Sequence, residues 1–324
     1  MIRKITKDQP LKVMTFTDTH IDHVPERTEV CLKLMKAAVD EVKPDVIVFV
    51  GDNVVATDNE ARSKRFAQFM TDLQIPWAPV LGNHEGDSPD TISREYMTEI
   101  LKSSPYCLIP KEPATLEDGT PVFGHTNYSV ELKRDDDSTA FRLILMDGGS
   151  HIEESALEAV GLKKVYNTEY DWLKEDQIAW YKEQVRDDAC PSMIFCHIPL
   201  PEFIVGYEEG TLLFGKKRER VCCASYNSGM FDAMVESGKT IAYVTGHDHV
   251  NDYRVLYKGI QLIYNRMGGM GSYNALTKKV HDTLLQGCFV YHIGYNGQMD
   301  VEDFLYKDRL PHLYDEMYSV VRKE

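Results

Sequence analysis

Nowhere in these 324 residues does an apolar run approach the ~20 residues that a membrane span requires. The first ten residues likewise lack the apolar stretch of a secretory signal. Cysteine is scarce and unorganised. There are seven, none in a Cys-x-x-Cys pair, and Cys222 adjoins Cys223, a poor arrangement for a structural disulfide. A reduced, cytoplasmic protein is the expectation. Positive charge is also short: 36 Lys and Arg against 51 Asp and Glu leave a net −15. Such a surface disfavours nucleic acid, whose binding depends on Lys and Arg displacing counterions. It does not exclude a small anionic substrate, because bound metal ions dominate the field locally.

Repeats, low-complexity tracts and a convincing linker are missing as well, so one domain over residues 1–304 is expected. It carries insertions near 148–168 and 203–223, and residues 305–324 form a charged tail for which a helix is one option. A chain of this size buries roughly 75% of its unfolded surface, enough for a real core.

What is present alternates. Val13–Thr17 and Val46–Val50 are β-branched and aromatic runs that read as buried strands. Between them Val30, Leu34, Ala38 and Val42 keep one helical face, which Pro44 ends. A second helix carries Phe66, Phe69, Met70 and Leu73. A third strand covers Trp77–Leu81, and a polar helix lies near Ser88–Lys102. Farther on, Val122–Leu132, Phe141–Met146, Met193–Cys196 and Ile241–Thr245 read as strands, with helices over Asp176–Asp188 and around Met230–Glu236. Tyr253–Tyr257, Gln261–Tyr264, Cys288–Ile293 and Met299–Phe304 suggest hairpins of a second sheet. Strand–helix alternation implies parallel pairing, with ligands beyond the carboxyl ends of the strands.

Five clusters of hard-metal ligands sit at such ends: Asp18-Thr19-His20, Gly51-Asp52-Asn53, Gly82-Asn83-His84-Glu85, His197, and Gly246-His247-Asp248-His249. Carboxylate, amide oxygen and imidazole bind divalent cations without sulfur. Asp18 and His20 point the same way if extended geometry persists between them. Glycines 51, 82 and 246 mark places where the backbone turns sharply or approaches closely. Two cations ~3.5–4 Å apart can clamp the attacking and leaving oxygens of a displacement. Such a pair wants a bridging carboxylate, and Asp52, followed by an amide, is the best candidate.

In order and spacing the five clusters resemble the calcineurin-like metallophosphoesterase family: Asp-x-His, Gly-Asp-x, Gly-Asn-His-(Asp/Glu), a strand-terminal His, then Gly-His-x-His. The resemblance covers residues 10–270 and is patchy in the insertions. It implies a four-layer α/β/β/α sandwich of two mixed sheets flanked by helices. Carried over by motif position, Asp18, His20 and His249 would hold one metal and Asn83, His197 and His247 the other, with Asp52 bridging. His84 would face the substrate, stabilising the transition state or protonating the leaving oxygen. The metals implied are two divalent or mixed-valence ions, Mn, Fe or Zn. Purple acid phosphatases place a tyrosine ligand three residues after the bridging aspartate; here that residue is Val55. His197-Ile198-Pro199-Leu200-Pro201-Glu202 and Gly246–Asp252 most resemble the branch related to those enzymes but lacking the tyrosinate. In that branch a loop like Gly124–Tyr128 lies near the active site, which makes Asn127 and Tyr128 substrate-binding candidates.

The implied function is a phosphomonoesterase on a small phosphorylated substrate, with a metal-bridging hydroxide as nucleophile. A phosphodiesterase on cyclic nucleotides or other small diesters is the alternative within the family. A non-catalytic metal-binding scaffold is the alternative outside enzymes. Tyr207, Phe214, Lys216, Lys217 and Arg218 read as a solvated loop or as a lid presenting cations to phosphate. Glu85 is expected to support backbone, and His23, His125 and His151 carry no motif. Oligomeric state is left open.

Overall fold

The computed structural model describes residues 1–21, 24–55, 59–86, 91–186, 190–269 and 286–321. The chain opens with β1 (Leu11–Phe16), α1 (Pro25–Val42), β2 (Val46–Val50), α2 (Asn59–Leu73), β3 (Trp77–Val80) and α3 (Arg94–Lys102). The middle holds β4 (Tyr128–Lys133), β5 (Thr139–Leu145), α4 (Glu154–Ala159), α5 (Glu175–Val185) and β6 (Ser192–Phe195). Then come α6 (Glu202–Glu209), β7 (Thr211–Phe214), α7 (Met230–Ser237) and β8 (Thr240–Thr245). The chain ends with β9 (Arg254–Tyr257), β10 (Ile260–Tyr264), β11 (Gly287–Ile293), β12 (Met299–Leu305), α8 (Tyr306–Arg309) and α9 (Pro311–Val321).

Local chemistry explains the first units. Every residue of β2 is buried, as its Val-Ile-Val-Phe-Val sequence requires. Pro25 opens α1, and Lys43 closes it in the left-handed conformation with its N–H donated to Val39 O, just before Pro44. Ser93 caps α3 by accepting from Tyr96 N.

Two mixed sheets result. The first has five strands in the order β12-β11-β1-β2-β3, with β1, β2 and β3 parallel and β11 and β12 antiparallel. The second has seven, β4-β5-β6-β8-β10-β9-β7, with β5, β6, β8 and β10 parallel. Their inner faces share one core containing Val13, Val48, Leu143, Phe195 and Ile263. The rings of Phe195 and Tyr291 meet across it, 6.4 Å between centroids. Behind the second sheet, Ile178, Trp180, Phe231 and Met234 from α5 and α7 pack on Ile194 and Tyr243. Helices α1 and α2 cover the first sheet, and α9 lies against α1. This is the four-layer α/β/β/α sandwich.

The hairpins divide differently from the sequence expectation. β9–β10 does join the second sheet, but β11–β12 returns to the first and pairs β1 through Val13↔Tyr291. Local alternation says that a strand exists, not which distant edge it completes. The expected strand Val122–Leu132 begins only at Tyr128, because Gly124 is at φ 92° and Asn127 Nδ2 turns back to Phe123 O at 2.6 Å. The 203–223 insertion is not a plain loop, since it contains most of α6 and all of β7. Residues 306–309 and 311–321 of the tail are helical. Ser88–Asp90, Asp187–Asp188 and His23 lie outside the described residues. Among the described residues no helix is long and apolar enough to cross a membrane.

Candidate metal centre

The five clusters leave the carboxyl ends of β1, β2, β3, β6 and β8, and the two sheets bring those ends together. The turns are tight. A Cβ at Gly82 would stand 2.2 Å from Asp52 Oδ1, and one at Gly246 1.9 Å from Thr17 Oγ1. Asp18, His20, Asp52 and His247 all have positive φ, at 50°, 44°, 51° and 75°. That left-handed region costs a non-glycine residue roughly 1–2 kcal/mol, and such strain concentrates at functional sites. It also corrects one expectation: Asp18 and His20 converge through left-handed backbone, not through continued extended geometry.

Backbone donors orient the carboxylates. Asp18 Oδ2 accepts from His247 N at 3.0 Å and Thr17 Oγ1 at 2.8 Å. Asp52 Oδ1 accepts from His84 N at 2.9 Å. The other oxygen of each faces the imidazoles. His249 Nε2 is 3.2 Å and His20 Nε2 3.6 Å from Asp18 Oδ1. Asp52 Oδ2 lies 3.0 Å from His197 Nε2 and 3.7 Å from His20 Nε2. Two groups emerge, Asp18/His20/His249 and Asp52/His197/His247, each with its ligand atoms within 4.8 Å of one another. Asp52 Oδ2 faces histidines of both.

Asp18 Oδ1, Asp52 Oδ2, both ring nitrogens of His20, both amide atoms of Asn83, and Nε2 of His197 and His247 are buried without a hydrogen-bond partner. Buried polar atoms are normally satisfied. Orphans concentrated at one point, on carboxylate, amide and imidazole groups, fit a pair of hard or borderline cations. His197 Nδ1 approaches Val50 O at 2.8 Å. That contact assigns the proton to Nδ1 and turns the Nε2 lone pair inward, as metal-bound histidines are commonly held.

Electrostatics agree. Burial would raise the Asp18 and Asp52 carboxyls, yet His197, with His249 at Asp18 and His84 at Asp52, holds both below their ordinary values. Burial pulls His197 down, but Asp52 and Asp18 outweigh it and push it up to about 10. His247 is pushed down to about 3 by burial and by the charge on His197. Without cations, then, the two carboxylates draw positive charge onto His197.

A calcineurin-like phosphoesterase profile matches residues 11–251. The chain belongs to the calcineurin-like phosphoesterase family. It is similar to probable inactive purple acid phosphatase 14 of Arabidopsis thaliana, 34% identical over 254 residues, which are 71% of this chain and 59% of that protein. Probable inactive purple acid phosphatase 29 of the same plant is 30% identical over 265 residues, 75% of this chain and 64% of that protein. Phosphatase DCR2 of Saccharomyces cerevisiae is 27% identical over 275 residues, 76% of this chain and 45% of that protein. The chain thus spans about six-tenths of the length of the two plant relatives and under half of the yeast one. Its fold matches that of a dimetal phosphatase from Danio rerio, with a TM-score of 0.58 at 14% identity, covering 92% of this chain and 97% of that one.

Beyond the cage of this phosphoesterase-family chain, the anticipated residues divide. Glu85 does support backbone: its carboxylate accepts from Gly82 N at 2.7 Å, Asp52 N at 3.1 Å and Asn53 N at 2.5 Å, tying the second ligand loop to the third. Burial, reinforced by Asp52, pushes it up to about 7. His84 sits at the mouth, with a side chain 34% exposed and Nε2 3.9 Å from Asp52 Oδ2.

Asn127 and Tyr128 are buried. Asn127 accepts from Asp147 N and Gln177 Nε2 while donating to Phe123 O, and the Tyr128 hydroxyl is buried on Pro79 O at 2.8 Å. Their polar atoms are engaged in the framework. Of the cations at 216–218, Arg218 is taken up within the framework. Arg218 is ion-paired with Asp252, and the Arg218 and Glu219 amides donate to Asn251 Oδ1, clamping the loop that follows His249.

Two rings that no motif marks complete the mouth. Tyr170 stands edge-on to His247 at 4.2 Å between centroids, and His151 is 6.1 Å from His84. The two rings are 5.1 Å apart, on an antiparallel bridge. His151 lies in the 148–168 insertion and Tyr170 just beyond it.

Proposed function

We propose that this chain is a dinuclear-metal phosphoester hydrolase that prefers phosphomonoesters. The observation that carries the reading is the pair of abutting ligand triads with Asp52 Oδ2 facing both. Asp18, His20 and His249 would hold one cation; Asn83, His197 and His247 the other, with Asp52 between them. When bound, such ions neutralise charge on a transferring phosphoryl group and lower the pKa of water.

The chain's own residues do the rest. Glu85 and the His84 and His247 amides fix the carboxylates before substrate arrives, so little reorganisation is needed during reaction. His84, more exposed than Asp18, Asp52, His20 and His197, would meet the ester and donate a proton to the departing oxygen. The substrate class is a small phosphorylated molecule.

The test is a side-by-side assay of p-nitrophenyl phosphate and bis-p-nitrophenyl phosphate after loading with Mn, Zn or Fe. Faster turnover of the diester would replace the monoesterase reading with a phosphodiesterase. The names of the two plant relatives favour a second reading, a metal-binding protein without turnover. Equal rates for wild type, His84→Ala and Asn83→Ala would support it.

A further inference from the structure

Resting on the phosphoesterase reading, we propose that the 148–170 segment and Arg220 form a leaving-group subsite for a polyhydroxylated alcohol, so that the substrate is of the sugar-phosphate class. The segment is tied firmly to the centre. Ser150 Oγ donates to Asn83 O at 2.7 Å, Ile152 N to Glu169 O at 2.8 Å, and Asp171 N to Ser150 O at 2.8 Å. Val165 N and Tyr166 N both donate to Ser225 O, at 2.9 and 3.1 Å. His151 and Tyr170 are therefore held as a wall beside His84 and His247.

Two cavities of about 300 and 290 Å³ open along that wall and meet at Glu169. Each is at the small end of ligand pockets. The first is flanked by His151, Glu153 and Lys164, the second by Tyr170, Asn167 and Arg220. None of Glu153, Lys164, Glu169 and Arg220 forms an ion pair with another described residue. Four charged side chains thus line the cavities without consuming one another.

This lining selects by chemistry. Carboxylates accept hydrogen bonds from hydroxyls, while the cations and the Asn167 amide donate to hydroxyl oxygens. The Tyr170 ring offers an apolar face for the C–H side of a sugar. A lipid-like leaving group would need a mostly apolar wall, and a polynucleotide meets a chain of net charge −15. A sugar monophosphate places its phosphate at the cage and its hydroxyls in the cavities.

Calorimetry on the Mn-loaded full chain tests this with two non-hydrolysable probes, the phosphonate analogue of glucose 6-phosphate and methylphosphonate. The ratio of their affinities divides out the grip on phosphorus. Wild type is expected to favour the sugar phosphonate by at least about tenfold, the value of roughly one net hydrogen bond. Glu169→Gln and Arg220→Ala, both exposed and so safe for folding, should each cut the ratio severalfold, whereas Glu236→Gln on distant α7 should keep it. A wild-type ratio near one, no binding of either probe, or a ratio untouched by both subsite variants overturns the proposal. Failure of the hydrolase reading shows separately, as absent turnover of every ester while the binding ratio persists.

Discussion

The ligand loops and the 148–170 wall reach the same centre by different routes. Each ligand lies within a few residues of the strand that delivers it: Asp18 after β1, Asp52 after β2, Asn83 after β3, His197 after β6 and His247 after β8. Ladder register then places each ligand, so a short motif carries its position. His151 and Tyr170 are placed by bonds to partners far along the chain, Ser150 on Asn83 and the 165–166 amides on Ser225. The cage is local chemistry brought together by a sheet; the wall is tertiary structure throughout.

Four experiments press on that contrast. Asp52→Asn strikes the residue facing both triads and should cost on the order of a thousandfold or more in kcat, read from initial rates under metal saturation. A smaller loss would mean that the triads act independently. His84→Ala should lower kcat by about 10²–10⁴ while elemental analysis finds the ion content of wild type. Loss of ions would move His84 from the mouth into the cage.

Next comes the strut between cage and wall. Arg94 donates to Gly82 O at 2.6 Å and Glu85 O at 2.9 Å and reaches Asp147 Oδ1 at 2.5 Å, just before Gly148. Burial pushes the Asp147 carboxyl up, but Arg94 and the His125 and Gly149 amides hold it below its ordinary value. A carboxyl depressed on folding adds stability above its unfolded pKa of about 4, and that stability is lost as pH falls through the folded value. Asp147→Asn should lower unfolding free energy by about 3 kcal/mol at neutral pH, the low end for breaking a buried pair because Arg94 keeps two carbonyls. It should also flatten the acid limb of stability against pH below about 4. Denaturant melts from pH 3 to 7 measure both, and an unchanged acid limb would remove Asp147 from the strut.

The smallest effect belongs to Tyr128→Phe. It removes one buried hydrogen bond, about 1 kcal/mol, and should leave KM unaltered. A raised KM would return Tyr128 to the substrate.

What could be read beforehand follows the same division. The alternating runs of β1 to β3 and their helices, and the two candidate ligand triads, are legible in the sequence because hydrophobic period and ligand type are local signals. The left-handed backbone at Asp18 and His20 was not legible, since strain appears only when neighbouring strand ends crowd together. Nor was the return of β11 to β1, because the pattern of Phe289 and Tyr291 suits either sheet. Asn127 and Tyr128 are candidates by resemblance of their loop, and sequence does not say that Pro79 and Gln177 engage their polar atoms. His151 had no motif to announce it.

Equilibrium dialysis of the folded, chelator-stripped chain against Mn, Zn or Fe, followed by elemental analysis, tests the centre most directly. Two ions per chain in wild type, falling to one or none in Asp52→Asn, is the predicted result. A properly folded wild-type chain that retains no ion from any of the three would contradict the account.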